Sequence, residues 1–344
     1  MQAAIYGLAG LQLTDGERDF FREADPAGFI LFKRNCETRE QVRRLTDSLR
    51  ELGGRRDLPI LIDQEGGRVA RMKPPEWPAF PAAERFAALY QLAPSSAIEA
   101  ARANARAVAL MLREAGVNVD ALPLLDVRQE GASDIIGDRA LGSEPMQVAA
   151  LGRAVLDGLA SGGVVGIIKH IPGHGRALVD SHKELPVVSA SEQELEVDLE
   201  PFERLSAAPM GMMAHVVYTA WDPEHPASMS PTIIRDIVRG RIGFDGWLMS
   251  DDLGMEALQG DFGARAAGVV AAGCDVALHC SGRMDEMVAV AGAVPAMSAE
   301  GEARMVRAMA SAAAPVHGID FAEAIATRDA LLALAGTGSS VRRA

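Results

Sequence analysis

The sequence predicts an α/β fold, a single (β/α)8 TIM-type barrel with long βα loops, and three observations predict it. Eight short apolar runs bounded by Gly, Pro or charge recur along the chain. Segments of helical character lie between them, and strands alternating with helical crossovers must run parallel. Polar, titratable side chains stand at the ends of most of the runs, as they do where a barrel builds its site on the carboxyl face. At 344 residues the chain suits one barrel, since barrels routinely exceed the roughly 150 residues of an ordinary domain. An open doubly wound sheet is the competing architecture, but eight repeats favour closure.

The candidate strands are AAIYGL at 3–8, GFILF at 28–32, PILID at 59–63, VNVDALPLL at 117–125, VVGIIKH at 164–170, MGMMAHV at 210–216, GWLMS at 246–250 and VALHC at 276–280. Helical character marks 14–24, 37–53, 96–116 and 143–163. Thr14 with Glu17, and Ser191 with Glu194, have the spacing of a capping box, while Gly53 and Gly116 stand where a helix should stop. The stretches 64–94, 126–142, 171–189, 217–230 and 251–260 follow strands and read as loops on the carboxyl face. No linker or low-complexity segment divides the chain, so 1–336 is expected to be one catalytic domain and 337–344 a fraying tail.

Composition narrows the function. Hydrophobic residues make up 49% of the chain and aromatic ones 5%, which suits a large aliphatic core. A formal charge of −13 disfavours wrapping nucleic acid or docking on anionic lipid, both of which need clustered cations, and leaves a small molecule as the expected partner. Cys36, Cys274 and Cys280 are odd in number and lack CxxC spacing, so neither a disulfide framework nor a thiolate zinc site is indicated and a reducing compartment is. Residues 1–20 lack a basic n-region and a long apolar stretch, and no run reaches the roughly 18 apolar residues of a membrane span. A cytoplasmic protein is expected; nothing in the sequence fixes an oligomeric state.

Three of the seven histidines crowd into KHIPGHGRALVDSH at 169–182. Pro172, Gly173 and Gly175 forbid continuing the strand, so Lys169 and His170 sit where it gives way to a loop. Any single histidine there would more often be structural, but a lysine, three histidines and Asp180 together hold the parts for proton transfer. In an extended segment residues i and i+2 point the same way, so Asp180 could contact His182 and favour its protonated form. LMSDDLGM places Asp251 and Asp252 at the barrel mouth, where Asp251 could be a nucleophile or could cap the next helix. In DQEGGRVAR, Asp63 could accept sugar-type hydroxyls, or Asp63, Glu65, Arg68 and Arg71 could form a salt-bridge network holding a turn. Arg139 in IIGDRALG is a loop cation without an obvious structural duty. Asp126, His215 and His279 also fall at strand ends, the two histidines read as shaping a pocket, and Cys274 and Cys280 read as core thiols. A metal site of His170, His174 and His182 would want one helix, which Pro172 and the glycines disfavour.

Together DQEGGRVAR, GDRALG, KHIPGHG followed by DSH, and SDDLGM resemble the family 3 glycoside hydrolases, in particular their single-domain bacterial β-N-acetylglucosaminidases of peptidoglycan recycling. The likeness covers about residues 5 to 285. It implies that Asp251 is the nucleophile forming a covalent glycosyl-enzyme, and that His182, oriented by Asp180, is the acid/base. It also implies that Asp63, Arg71, Arg139, Lys169 and His170 bind the nonreducing-end sugar, that the substrate is GlcNAc-1,6-anhydroMurNAc with or without its peptide, and that no cofactor or metal is needed. The chain departs from the family at Ile171, where phenylalanine is usual, at Gly175, Arg176 and Ala177 in place of an acidic GDT-like turn, and at Arg139, Ala140 and Leu141 in place of RSF. A histidine donor leaves less negative charge in the site than a carboxylate would, so a phosphorylase passing the sugar from Asp251 to phosphate is the alternative activity. A sugar-binding barrel with a degenerate site is the non-enzyme reading, and it would require a missing nucleophile or donor.

Overall fold

The structure is a computed structural model that describes residues 1–179, 181, 184–312 and 320–337. Eight parallel strands form its barrel: β1 (Gln2–Gly7), β2 (Pro26–Leu31), β3 (Ile60–Ile62), β4 (Val119–Asp120), β5 (Val165–Ile171), β6 (Met210–Met213), β7 (Trp247–Asp252) and β8 (Val276–His279). They pair in chain order, and β8 closes on β1 with Ile5 opposite Leu278. Leu61 lies between Ile30 and Val119, and Met210 lies between Ile167 and Trp247. Every one of the eight apolar runs overlaps a strand. These strands are buried on both faces, which is why they read as near-continuous apolar runs instead of alternating ones.

The run at 117–125 holds only a two-residue strand, because Pro123 has no amide hydrogen to extend the ladder. Pairing resumes beyond it, where the Leu125 amide donates to the Lys169 carbonyl at 2.7 Å. β7 runs past its expected end to include both Asp251 and Asp252.

Around the barrel lie α1 (Asp15–Ala24), α2 (Arg39–Gly53), α3 (Ala83–Tyr90), α4 (Pro94–Glu114), α5 (Pro145–Ser161), α6 (Glu192–Arg204), a π-helical segment Ile233–Arg241, α7 (Phe262–Ala272), α8 (Met284–Ala293), α9 (Ala299–Ala310) and α10 (Phe321–Thr337). Both capping boxes form, with Thr14 opening α1 and Ser191 opening α6. Gly53 is the last residue of α2, and Gly54, at φ 62°, makes the left-handed turn in its place. The stretch 64–94 is more ordered than a loop: Gln64–Gly66 and Val69–Ala70 pair as a hairpin, and α3 follows. Of the expected tail, Thr337 ends α10 and 338–344 lie outside the described residues. Among the described residues no helix is long and apolar enough to cross a membrane.

Candidate active site

Five charged side chains, from the connections after β3 and β4 and from the end of β5, meet at the barrel mouth. Asp63, one residue beyond β3, accepts from Arg71 Nη2 at 2.8 Å and from Lys169 Nζ at 3.1 Å. Lys169 Nζ also lies 2.7 Å from Glu65 Oε1, and the Arg139 guanidinium grips Glu65 with two bonds of 2.8 Å. Lys169 is 2% exposed, a burial an ammonium tolerates only when paired. The hairpin arranges this cluster. Gln64 Oε1 accepts from the amides of Arg71 and Met72, both at 3.0 Å, and Gly66 and Gly67 turn so close to Pro81 and Ala82 that a Cβ on either would collide. The guanidiniums of Arg71 and Arg34 both lie over the Phe32 ring, each 4.9 Å from its centroid.

The cluster sets its own protonation. Burial alone would raise Asp63 and Glu65, but Lys169 with Arg71 holds the first far below the usual carboxylate range, and Lys169 with Arg139 holds the second below it. Among the described residues no cation is bonded to Asp120 at the end of β4. Burial pushes it up to about 8, its Oδ1 accepts from the Gln64 amide at 2.9 Å, and its Oδ2 has no hydrogen-bond partner among the described residues.

Asp126 organises the start of the β5 loop. Its Oδ2 lies 2.8 Å from His170 Nδ1, while its Oδ1 accepts from the amides of His170 at 3.2 Å and His174 at 2.7 Å. Burial works against ionisation there, yet His170, followed by His174, holds the carboxyl down to about 2. With the Asp126 carboxylate as its partner, His170 Nδ1 is the donor of this contact, and the ring lines the pocket. His174, 3% exposed, is pushed down to about 4 by burial and by His170, and its Nε2 lies 3.3 Å from the Ser181 hydroxyl.

Asp251 sits near the end of β7. The Asp252 amide donates to its Oδ1 at 2.8 Å, and the Ser250 hydroxyl donates to its carbonyl at 2.7 Å. Burial opposes ionisation, but His170, His215, the Asp252 amide and Lys169 together hold this carboxyl below the ordinary range. Asp251 does not cap a helix, because Asp261 caps α7 by accepting from the Ala264 amide at 2.8 Å. His215 stands behind the site, between the Ser228 hydroxyl at 2.7 Å and the Asp252 carbonyl at 3.1 Å.

Asp63, Glu65, Arg71, Arg139, Lys169, His170, His174, Asp251 and Asp252 line one cavity of about 280 Å³, together with Phe32, Val69, Ile135, Ile136, Met212 and Met255, whereas His215, read as shaping the pocket, does not line it. Asp63, Arg71, Arg139, Lys169, His170 and Asp251 all reach it, although they come from four different βα connections. Asp180 and His182 lie outside the described residues; Ser181 between them lines the pocket. The turn network read from the sequence forms in part: Asp63 pairs with Arg71, whereas Arg68 turns to Asp138 at 2.8 Å. Cys274 is a core thiol, but Cys280 lines the cavity. His279 does not line it; its Nε2 is 3.1 Å from both Glu286 and Ser281. Among the described residues no group of three or more His, Cys, Asp and Glu side chains could hold a metal ion. Sequence reasoning gave Glu65 only a turn-holding duty and gave Asp126 no role. Glu65 had a signal, since it lies at i+2 from Asp63 in an extended stretch and so shares its face; Asp126 had none beyond its place after a strand.

Residues 7–313 match the family model described as Glycosyl hydrolase family 3 N terminal domain. The chain belongs to glycosyl hydrolase family 3. A family relative from Bordetella avium (strain 197N), named Beta-hexosaminidase, is 38% identical over 279 residues, covering 80% of this chain and 79% of its own. A Beta-hexosaminidase from Xylella fastidiosa (strain M23) is 39% identical over 300 residues, covering 84% and 87%. The crystal structure of native NagZ from Neisseria gonorrhoeae superposes with a TM-score of 0.85 at 32% identity, over 96% of this chain and 98% of that one. The family 3 fold and these relatives make the chain a glycoside hydrolase of the β-N-acetylhexosaminidase type.

Proposed function

We propose that this family 3 enzyme is a retaining exo-β-N-acetylglucosaminidase, acting in the cytoplasm on GlcNAc-1,6-anhydroMurNAc with or without its peptide, and that 1–336 form one catalytic domain. The observation that carries the mechanism is Asp251: buried, ionised below its ordinary range, fixed by the Asp252 amide and open to the same cavity as the charged cluster. The cluster supplies paired donors and acceptors in fixed positions, which suits the hydroxyls of one terminal sugar. Asp63 and Glu65 accept; Arg71, Arg139 and Lys169 donate; His170 adds an imidazole to the lining.

In the first step an Asp251 oxygen attacks the anomeric carbon as the bond to the aglycone breaks, and His182, oriented by Asp180, gives its proton to the departing oxygen. In the second step neutral His182 takes a proton from water, and the hydroxide equivalent displaces Asp251 from the anomeric carbon. Two inversions return the original anomer. The common retaining design uses two carboxyl groups about 5–5.5 Å apart, so a histidine donor changes the partner but not the sequence of bonds.

The test is to incubate wild type and Asp251→Ala with a β-N-acetylglucosaminide bearing a good leaving group, with and without phosphate, and to follow the products by NMR. The β anomer of free N-acetylglucosamine, abolished by the substitution, is expected. An initially formed α anomer would refute retention, undiminished activity in Asp251→Ala would refute the nucleophile, and phosphate-dependent sugar 1-phosphate would replace hydrolysis with phosphorolysis. Release of the sugar from the anhydro disaccharide, compared with its reducing counterpart, tests the substrate.

A further inference from the structure

Arg176 does not line the sugar pocket. Its Nε donates to Asp198 Oδ2, and its Nη2 donates to the Glu194 carbonyl at 2.7 Å, both on α6. Asp198 is 1% exposed, its other oxygen has no hydrogen-bond partner among the described residues, and Asp126 adds like charge nearby. A buried carboxylate in that position depends on the cation bonded to it. The residues on either side of Arg176 are also held. The Gly175 carbonyl accepts from the Gln129 amide at 3.3 Å, the Ala177 carbonyl accepts from the Ser133 amide at 2.9 Å, and Tyr218 donates to the Gly173 carbonyl at 2.7 Å. Residues 173–177 therefore form a fixed stem between the β4 loop and α6, and this stem leads in sequence directly to Asp180 and His182.

We propose that Arg176 is a positioning residue for proton donation: by docking on Asp198 and the Glu194 carbonyl it sets the direction in which the stem delivers the proton-donating pair. This rests on the reading of His182, oriented by Asp180, as acid/base. A misaimed donor harms substrates in proportion to their need for protonation, whereas loss of fold harms all substrates alike.

The experiment compares kcat/KM, which reports formation of the glycosyl-enzyme, on an activated aryl β-N-acetylglucosaminide and on an alkyl one with a basic leaving group. Arg176→Met should lose roughly 10- to 100-fold on the alkyl substrate and less than about twofold on the aryl one. Arg176→Lys should recover most of the loss. The double variant Arg176→Met/Asp198→Leu removes the buried carboxylate with its cation, so it keeps the fold without the tether and should show the same selectivity. His182→Ala is the reference. If His182→Ala is selective for the alkyl substrate but the Arg176 variants lose equally on both, or lose nothing, the positioning role is overturned and the acid/base reading stands. If His182→Ala is itself unselective, the acid/base reading fails and takes this role with it.

Discussion

Replacing Glu65 with glutamine keeps the shape of the side chain and removes one charge from the centre of the cluster. Two acids and three cations carry a net charge of about +1 with Asp120 protonated, and the substitution leaves Asp63 alone against three cations. A unit pair at 4 Å is worth roughly 4 kcal/mol at an effective dielectric near 20. Glu65 holds two such partners at 2.7–2.8 Å, offset by the cost of burying its own charge. The usual balance for removing one partner of a buried pair is a loss of about 3–5 kcal/mol. At roughly 2 °C per kcal/mol for a domain of this size, Tm should fall by roughly 6–10 °C in a circular-dichroism melt at pH 7. Arg139 also loses its two-pronged anchor, so KM for an aryl β-N-acetylglucosaminide should rise about tenfold, the equivalent of about 1.4 kcal/mol. A Tm within 2 °C of wild type with KM unchanged would show that the Glu65 carboxylate neither supports the cations nor orients Arg139, and the electrostatic account of the pocket would be wrong.

The other predictions concern protonation and packing. His174 has a folded value of about 4 against about 6.5 unfolded, so its contribution is present above pH 6.5 and is lost as pH falls toward 4; His174→Gln should flatten that acid limb of urea-derived stability by about 3 kcal/mol. An unchanged slope would mean that the imidazole is not buried in neutral form. Asp120 has the opposite sign: with a folded value of about 8, its stabilising effect is complete below about pH 4 and is lost on the order of 1.4 kcal/mol per pH unit as pH rises to 8. Asp120→Asn should therefore gain on wild type between pH 5 and 8, and a stability difference independent of pH would contradict the assignment. Gly175→Ala would put a Cβ 1.9 Å from the Val127 carbonyl oxygen, so calorimetry should show a loss of about 1–3 kcal/mol; a variant with wild-type Tm would mean that the β4 and β5 loops do not pack this closely.

The barrel was legible because its strands are buried on both faces and because glycines, prolines and charges punctuate them. Where the reading slipped, local chemistry was the cause. Pro123 cut β4 to two residues, Gly54 took the turn assigned to Gly53, and 64–94 yielded α3 and a hairpin whose turn packs against Pro81 and Ala82, a contact no spacing shows. The pocket was legible at strand ends: Asp63, Lys169, His170 and Asp251 converge as the barrel rule requires. What stayed hidden was the pairing. Nothing in the spacing joins Glu65 to Arg139, or Asp126 to the amides of His170 and His174, since those contacts bridge different loops. The helix-cap alternative for Asp251 was equally open until Asp261 was found in that place.

Cys280 shares the cavity with Asp251, and burial, with Asp252, Asp63 and Asp251 nearby, raises its thiol well above the ordinary value. The carboxylates that make the pocket suited to an electron-poor anomeric carbon thus also keep its sulfur protonated and poorly nucleophilic. Of Asp251 and Cys280 only the carboxylate is ionised, so covalent inactivators aimed at the anomeric carbon should esterify Asp251 and leave the cysteine untouched.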